Sequence, residues 1–530
     1  MGGGDGDEED EGGHGPERGG SHPAKIPTWA APRRGRAGSV AGPLHCRSCP
    51  SHRTPEWRMS GFFGVASRDD CVQDLFFGTD YHSHLGTQRG GLAVLGAEGF
   101  QRSIHDIRNA QFRTKFDDDV RRLTGRAGVG VISDFEDQPV FVSSHLGSYA
   151  IATVGVVQNA DALVTEAFRL RSGHFSEMAD GGVNPTELVA TLINREESFA
   201  AGIRSAQERI VGSCSILLLT ADGIYAARDL LGRTPVSLGR KGGAWCAASE
   251  TCSFPNLGYD HVRDLGPGEV VLLTPDGEER QVAPGDAMQV CAFLWVYYGY
   301  PSSSYEGVNV EDARYRCGAA LARNDDVDVD LVAGIPDSGT AHAIGYAMEA
   351  GVRYARPFVK YTPTWPRSFM PQDQSIRDLV ARMKLIPIRE LIDGRRILFC
   401  EDSIVRGTQL QDIVQRVYDY GGREVHMRPA CPPLVYGCKF LNFSRSRSSL
   451  DLAARKAIRE MEGDENTERA AAYADHASAE HAEMVERIRA RLKLTTLRYQ
   501  RLPDLVEAIG LPKEKLCTYC WDGCEGCAQG

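Results

Sequence analysis

Short apolar runs in the first half of the chain predict antiparallel strands. In residues 215–220, 223–228 and 269–273, β-forming side chains are bounded by Gly and Asp, which favour turns. A helical spacing of apolar residues intervenes at residues 185–195. These patterns predict an α+β domain with antiparallel sheet character.

From about residue 286 to residue 436, apolar strands alternate with amphipathic helices. The predicted strands are residues 328–333, 397–400 and 424–428, and the predicted helices are residues 342–350 and 410–420. Strands that alternate with helices build a parallel sheet through right-handed crossovers. The second half of the chain is therefore predicted to be an α/β domain.

Composition and charge narrow the class of protein. The 530 residues are 42% hydrophobic and 25% charged, with a net charge of −11, which argues against a general nucleic-acid binder. No apolar run approaches the ~20 residues that a membrane span needs. Fifteen cysteines without a secretory signal predict a reducing compartment, and we expect a cytoplasmic protein.

Three segments differ in composition from the two domains. Residues 1–58 are rich in Gly, Pro, acids and Arg, and we interpret them as a disordered extension or a mis-called start, with Met59 as the initiator. Residues 447–495 are charged and Ala-rich, which predicts a helical insertion on the surface. Residues 496–530 form a C-terminal segment that carries a cysteine cluster. The two domains are then residues 59–285 and 286–446.

The loop of residues 401–408, called here the phosphate loop, carries the clearest chemistry. An apolar run ends in Glu401 and Asp402, and a short loop then leads into the helix predicted at residues 410–420. Ligands of open α/β sheets bind at the carboxyl ends of strands, where free N–H groups can hold a phosphate. Paired acids suit the vicinal hydroxyls of a ribose, so the pattern predicts a sugar phosphate. No Walker-type nucleotide motif occurs.

The phosphate loop resembles the diphosphate-sugar motif of type I phosphoribosyltransferases, and residues 402–408 resemble that of the amidophosphoribosyltransferases. The resemblance implies that Glu401 and Asp402 hold the ribose hydroxyls, directly or through Mg²⁺. It also implies that the 5′-phosphate lies in a cradle formed by Ser403, Arg406, Gly407 and Thr408. Glu401 departs from the acid pair usual in the amidophosphoribosyltransferases, which is Asp-Asp.

Other matches in the second domain support this resemblance. Asp337 and Ser338 resemble a pyrophosphate loop, Lys360 and Arg367 resemble a flexible loop over the substrate, and Lys384 also matches. Cations at these places would stabilise the charge that the leaving pyrophosphate gains. The alternative is a βα turn with incidental acids, and four matches in the same order favour the phosphoribosyltransferase.

The cysteines leave two metal centres open. Thiolates bind zinc and iron–sulfur clusters alike, so the terminal cysteines alone do not distinguish them. The resemblance to the iron–sulfur branch of the family implies a [4Fe–4S] cluster on Cys291, Cys438, Cys517 and Cys520. In the alternative, Cys291 and Cys438 are ordinary buried cysteines beside a terminal zinc site. Cys524 and Cys527 are additional candidate ligands.

The first domain resembles a class II glutamine amidotransferase, an N-terminal-nucleophile fold, with an altered site. Ser60 stands at the family's catalytic cysteine, Ser133 at its glutamine-binding arginine, and Val154-Gly155 at its oxyanion-hole Asn-Gly. Residues 87–91, 228–233 and 248–250 keep the framework. The domain is either a degenerate glutaminase with a structural role or a hydrolase for another amide with Ser60 as nucleophile. His82, His84 and His145 are interpreted as ordinary surface or core histidines.

The resemblance implies an enzyme that transfers an amide or ammonia nitrogen to C1 of phosphoribosyl pyrophosphate in purine synthesis. The products are 5-phosphoribosylamine and pyrophosphate, and Mg²⁺ and a homo-oligomer are expected. The expected partners are small molecules, without nucleic acid or membrane. One alternative is a catalytically altered regulator that binds phosphoribosyl pyrophosphate, and a weaker one is a phosphoribosyltransferase for another nucleophile.

Overall fold

Two antiparallel sheets make up the first half of the chain. The structure is a computed structural model that describes residues 60–170, 175–176, 178–179, 182–361, 385–441, 451–463 and 469–525. Within that part, one sheet has the strand order Asp260–Asp264, Ser237–Lys241, Ala244–Ala248, Ser60–Ser67, Ala127–Ser133, Arg89–Gly96, Gly99–Asp106. The second sheet has the order Gly277–Val282, Val270–Thr274, Ile224–Ala227, Gly212–Leu219, Gly147–Val157, Val140–Ser144.

Helices cover the outer faces of both sheets. Successive side chains of a strand point to opposite faces, so Phe62 packs between the sheets whereas Phe63 packs against helices. The helices beside the first sheet are Val72–Asp80, Phe112–Val120 and Phe254–Leu257, and those beside the second are Ala160–Arg169, Pro185–Ile193 and Phe199–Arg209. The result is a four-layer arrangement of helices, sheet, sheet and helices.

A parallel sheet forms the centre of the second half. Its strands are, in spatial order, Leu331–Gly334, Arg396–Glu401, Glu424–Pro429 and Thr496–Leu497, and every neighbouring pair is parallel. Helices Val310–Arg323 and Gly339–Ala350 pack on one face, and helix Thr408–Asp419 packs on the other. The alternation of strands and helices predicted for this half is confirmed.

The predicted elements and the observed ones differ mainly at their ends. The strand predicted at residues 328–333 begins only at Leu331, because Asp328 and Asp330 form ion pairs with Arg396 at 2.6 and 3.1 Å. The helix predicted at residues 342–350 begins earlier and spans Gly339–Ala350. Because the strand ends at Gly334 and the helix begins at Gly339, the site-forming turn is shorter than the sequence pattern indicates.

The segment predicted as a surface insertion belongs to the core of the second half. Its helices are Ala453–Glu462, Ala470–Ala474 and Ala479–Arg491. Several of their charged residues are exposed, but Ile458, Met484 and Ile488 are buried in the same apolar cluster as Phe399 of the parallel sheet. The helical prediction is confirmed, whereas the surface location was wrong, because the high charge of these helices hides an apolar face.

The C-terminal segment packs against the start of the second half. Helix Leu502–Ile509 contacts helix Val310–Arg323, where Arg316 Nε donates to the Ala508 carbonyl at 2.7 Å. The short strand Leu516–Cys517 then pairs in parallel with Val290–Cys291. Thr54–Gly530 forms one compact unit, so the boundary near residue 285 stays a prediction. None of the helices in the described residues has the length and apolar character of a bilayer crossing.

Replacing Ile488 by Ala should lower the free energy of unfolding by about 2–5 kcal/mol, because it opens a cavity in a shared core. Arg487 is a partly exposed neighbour that forms an ion pair with Glu483. Its replacement should change the free energy of unfolding by less than about 1 kcal/mol. The midpoints of thermal and urea unfolding of both variants check this. Equal midpoints for the two variants would contradict the core location of these helices.

Candidate functional site

The phosphate loop lies at the carboxyl edge of the parallel sheet. Strand Arg396–Glu401 is flanked by strands on both sides, so its end opens beside the turn that follows Leu331–Gly334. The two turns are in contact, because Ile335 N–H donates to the Cys400 carbonyl at 3.0 Å. A Cβ atom on Gly339 would lie only 2.3 Å from that oxygen. The structure therefore brings the two predicted substrate loops together.

The two acids of the phosphate loop lie in a desolvated place. Burial and the neighbouring Asp402 carboxylate raise the pKa of Glu401 well above its ordinary value. Asp402 is 5% exposed, and Ser403 Oγ donates to its Oδ1 at 2.6 Å. Two adjacent carboxyl groups with little solvent are suited to a cation or to sugar hydroxyls, which would compensate their repulsion.

The rest of the phosphate loop leads directly into a helix. Gly407 has a φ of +78°, which favours glycine, and helix Thr408–Asp419 begins at the next residue. The first N–H groups of a helix lack partners within the helix and can bind an anion. Arg406 precedes Gly407, so Arg406 and Thr408 flank the helix start as the predicted phosphate cradle requires.

Lys360 joins the predicted pyrophosphate loop. It ends strand Phe358–Lys360, and its ammonium forms an ion pair with the carboxylate of Asp337. Ser338 follows Asp337 and precedes helix Gly339–Ala350. Arg367 and Lys384, the other predicted cations, lie outside the described residues. Of the predicted cationic cluster, the structure therefore locates Lys360, beside Asp337.

Two contributors to this site carry no sequence motif. Arg314 is 4% exposed and donates to the carbonyls of Trp295 and Tyr297 at 3.0 and 2.7 Å, and its charge interacts with Asp402. Ala453 N–H donates to the Val405 carbonyl at 2.7 Å, so the helix beginning at Ala453 supports the phosphate loop. Neither contact is indicated by a sequence pattern.

Four cysteines that are distant in the sequence line one cavity. Cys291 and Cys517 are register partners in the short parallel ladder described above. Cys520 hydrogen-bonds with Cys438, which contributes to raising the pKa of Cys520 well above its ordinary value. All four side chains line the same cavity. The structure thus brings together the four cysteines that the resemblance implies for a cluster.

The donor set of this cavity fits an iron–sulfur cluster. In the described part of the chain, no three His, Cys, Asp or Glu side chains are placed to hold a single metal ion. In a [4Fe–4S] cluster each thiolate binds a different iron, so the thiols need not converge on one point. Cys524 is disulfide-bonded, and Cys527 lies outside the described residues. Cys291, Cys438, Cys517 and Cys520 stay the predicted ligands.

The altered positions of the first half also come together. Ser60 is the Cα partner of Ser133 at the end of two neighbouring strands. Ser60 and Gly155 line one cavity with two acids, Asp134 and Glu136, which are 7% and 9% exposed. The cavity therefore presents carboxylates beside the place where the resemblance implies a glutamine-binding arginine.

None of the three histidines considered for this half lines the Ser60 cavity. His84 Nε2 lies 3.1 Å from the buried Glu250 carboxylate, and His145 Nε2 is 2.9 Å from the Glu196 carbonyl. His82 is fully buried, with Nδ1 2.8 Å from the Gly78 carbonyl. Their contacts agree with the interpretation of structural histidines.

Curated amidophosphoribosyltransferases are similar to most of this chain. That of Archaeoglobus fulgidus is 32% identical over 397 residues, covering 72% of this chain and 85% of its own length. That of Methanothermobacter thermautotrophicus is 31% identical over 485 residues, covering 87% and 93%. The chain belongs to the amidophosphoribosyltransferase family.

Solved structures agree with this assignment. Glutamine phosphoribosylpyrophosphate amidotransferase from Bacillus subtilis, complexed with ADP and GMP, matches with a TM-score of 0.74 at 26% identity, covering 88% of this chain and 96% of its own. The structure of "the allosteric regulatory enzyme of purine biosynthesis" matches with a TM-score of 0.75 at 26% identity, covering 88% and 95%. No family model matches the chain. The predicted fold class, an N-terminal-nucleophile domain before a type I phosphoribosyltransferase domain, is confirmed.

In this amidophosphoribosyltransferase, His82 should make the stability depend on pH. Burial lowers its pKa from 6.5 to about 4, against the opposing charge of Glu250. Between these values the unfolded chain binds a proton that the folded chain does not, so stability falls by up to about 1.4 kcal/mol per pH unit as the pH drops. Above pH 6.5 the contribution is constant.

Replacing His82 by Gln should remove this part of the pH dependence. Urea unfolding between pH 4 and pH 7 measures the free energy of unfolding of both proteins. The value for the wild type should approach that for H82Q as the pH falls below 6.5. The control is H145Q, which changes a histidine of an exposed turn. Parallel curves for the wild type and H82Q would show that His82 is not buried in its neutral form.

Proposed function

We propose that this chain transfers the nitrogen of ammonia to C1 of phosphoribosyl pyrophosphate, giving 5-phosphoribosylamine and pyrophosphate for purine synthesis. The observation that carries the proposal is the phosphate loop, which follows a parallel strand, contains the half-buried Glu401 and the buried Asp402, and leads into a helix. The hydrogen bond from Ile335 N–H to the Cys400 carbonyl holds this loop beside the turn at Asp337, which supports the proposal that one edge of the sheet binds both the sugar phosphate and the pyrophosphate.

Different residues at this edge of the sheet bind different parts of phosphoribosyl pyrophosphate. The helix start, the Ser403 backbone and the Thr408 hydroxyl bind the 5′-phosphate, while Glu401 and Asp402 bind the ribose hydroxyls. Lys360 leaves Asp337 to meet the pyrophosphate, whose charge grows as the bond between C1 and oxygen breaks. The nitrogen lone pair forms the new bond to C1, and ammonia then loses a proton.

Glu401 and Asp402 are also the residues that would hold Mg²⁺. Hard oxygen donors are the ligands that this ion prefers, and it would neutralise charge on the substrate. The raised pKa of Glu401 is consistent with such a place, because a cation favours the ionised carboxylate. Ser403, which hydrogen-bonds Asp402, orients the second acid.

The choice of ammonia over glutamine is supported by the Ser60 cavity. A serine hydroxyl is a far weaker nucleophile than a thiol at neutral pH. Asp134 accepts hydrogen bonds from the Thr87 N–H and hydroxyl, and Glu136 accepts one from Gln138 Nε2 at 2.8 Å, so both acids are held in place. Such carboxylates repel the carboxylate of glutamine. The first half therefore acts as a structural partner.

Pyrophosphate release from phosphoribosyl pyrophosphate and Mg²⁺ should be supported by ammonium salts and not by glutamine. The rate with ammonium should rise with pH, because only unprotonated ammonia has a free lone pair. A coupled pyrophosphate assay measures the rate with each nitrogen donor and the pH dependence of the rate with ammonium. Turnover with glutamine at a rate similar to that with ammonia would refute the interpretation of the Ser60 cavity.

Replacing both acids of the phosphate loop by amides (E401Q with D402N) should lower kcat/KM for phosphoribosyl pyrophosphate at least about 100-fold, because the ribose and Mg²⁺ contacts are lost. The matched control is Asp412→Asn, an exposed acid on the adjoining helix, which should keep wild-type activity. Calorimetry measures the binding of phosphoribosyl pyrophosphate to the same variants. Unchanged binding in the double variant would rule out this site.

The four-cysteine cavity is proposed to hold a [4Fe–4S] cluster with a structural role. Cys291, Cys438, Cys517 and Cys520 come from three separate segments, so a shared centre would tie the C-terminal segment to the start of the second half. Burial raises the pKa of Cys291, and iron would favour its thiolate. The absorption spectrum and iron content of protein purified without oxygen distinguish the cluster from zinc.

We further propose a cytoplasmic homo-oligomer. Eleven of the described cysteines are free thiols, as expected in a reducing compartment, while Cys524 is disulfide-bonded. The oligomeric state follows from the family resemblance, and light scattering of the purified chain tests it.

A further inference from the structure

We propose that Arg233 is the counter-charge of the four-cysteine cavity, placed to stabilise a bound [4Fe–4S] cluster and to raise its reduction potential. The inference rests on the cluster proposed above. It concerns a residue of the first half of the chain whose guanidinium forms part of the cavity wall next to the thiols. Arg233 is the only charged side chain among the described residues that line this cavity.

The side chain of Arg233 is buried and fixed. It is 4% exposed, its carbon Cζ lies 3.7 Å from the centre of the Phe440 ring, and one terminal nitrogen donates to Gln289 Oε1 at 3.2 Å. The other terminal nitrogen donates to the Gly212 carbonyl at 3.3 Å. Stacking on an aromatic ring and two neutral acceptors orient the guanidinium without neutralising it.

The hydrogen-bonding capacity of Arg233 is not filled by the protein. Its Nε is buried without an acceptor in the described part of the chain. The Asp229 carboxylate lies within electrostatic range only. A buried cation with an unused donor is costly unless an anion accompanies it. The anion that this cavity can provide is the metal centre on its thiolates.

The backbone holds Arg233 in register with two of the predicted ligands. Its carbonyl accepts a hydrogen bond from Cys291 N–H at 3.2 Å, and Cys291 is the ladder partner of Cys517. The backbone of Cys291 is thus joined to that of both Cys517 and Arg233, which keeps these three residues at one wall of the cavity.

The positive charge of Arg233 affects the oxidised and reduced states of the cluster unequally. A [4Fe–4S] cluster with four thiolate ligands is an anion in both of its usual oxidation states, and reduction adds one more negative charge. The other lining residues are apolar or neutral, so the field of one buried cation is weakly screened. A fixed positive charge stabilises the reduced state more than the oxidised one, and it also stabilises the iron-bound thiolates against release.

The experiment compares the full chain with three variants, all purified without oxygen. R233M removes the charge and keeps much of the volume, whereas R233K keeps the charge. R240M is the matched control, because Arg240 also lies over an aromatic ring, 5.9 Å from Trp245, but on the exposed part of a strand. Iron content, the midpoint potential for one-electron reduction and the rate of bleaching by an iron chelator are measured for each.

We expect R233M to have a more negative midpoint potential than the wild type and to lose iron to the chelator several-fold faster. R233K should remain close to the wild type, and R240M should be identical to it. If R233M folds but takes up no iron while R233K does, the need for the charge is likewise supported. Circular dichroism reports the folding of each variant.

Two outcomes overturn the inference while the proposed cluster stands. In one, R233M has the potential and bleaching rate of R240M. In the other, R233M and R233K are both folded and both without iron, so that the shape of arginine and not its charge is needed. A wild type without iron refutes the cluster and this inference together, and the pyrophosphate assay still tests the transferase reaction separately.

Discussion

The approach of two turns at the carboxyl edge of the parallel sheet is the constraint on which the substrate site depends. The Cys400 carbonyl accepts a hydrogen bond from Ile335, and the backbone of Gly339 passes so close to it that a side chain has no space. This contact fixes the phosphate loop relative to Asp337, and through Asp337 relative to Lys360. Positioning of reacting groups is worth several kcal/mol in catalysis, so the close packing serves the chemistry as well as the fold.

The two halves of the chain show different relations between fold and chemistry. In the second half, the loops, the acids and the helix start are all present at one edge. In the first half, the four layers are complete, and Phe62 and Phe63 pack on the two faces of the first sheet, yet Ser60 and two buried acids line the cavity. A scaffold can persist after its site has changed because packing and reactivity rest on different side chains.

Much of the fold and of the phosphate loop could be predicted from the sequence, because short sequence patterns occur at the elements that form them. The strand that ends at Glu401, the glycine before Thr408 and the order of strands and helices follow from short patterns. The contacts of Arg314 and Ala453 could not be predicted, because they join segments that are distant along the chain.

The interpretation of residues 447–495 was wrong for a related physical reason. Composition averages over a helix, so the charged residues around Ile458 and Ile488 concealed two buried positions. The cysteines are an intermediate case. The sequence contains the four thiols, but the pairing of Cys291 with Cys517 is a matter of register in a ladder that only the folded chain defines.

The late position of the Thr496–Leu497 strand has a consequence for how the chain is made. This strand completes the edge of the parallel sheet beside Glu424–Pro429, and the Leu516–Cys517 strand pairs back to Val290–Cys291. A nascent chain on the ribosome can close the two-sheet half early, since its strands are contiguous. The transferase half cannot complete its sheet until residues 496–497 have left the ribosome, and its apolar sheet face needs protection from aggregation during that interval.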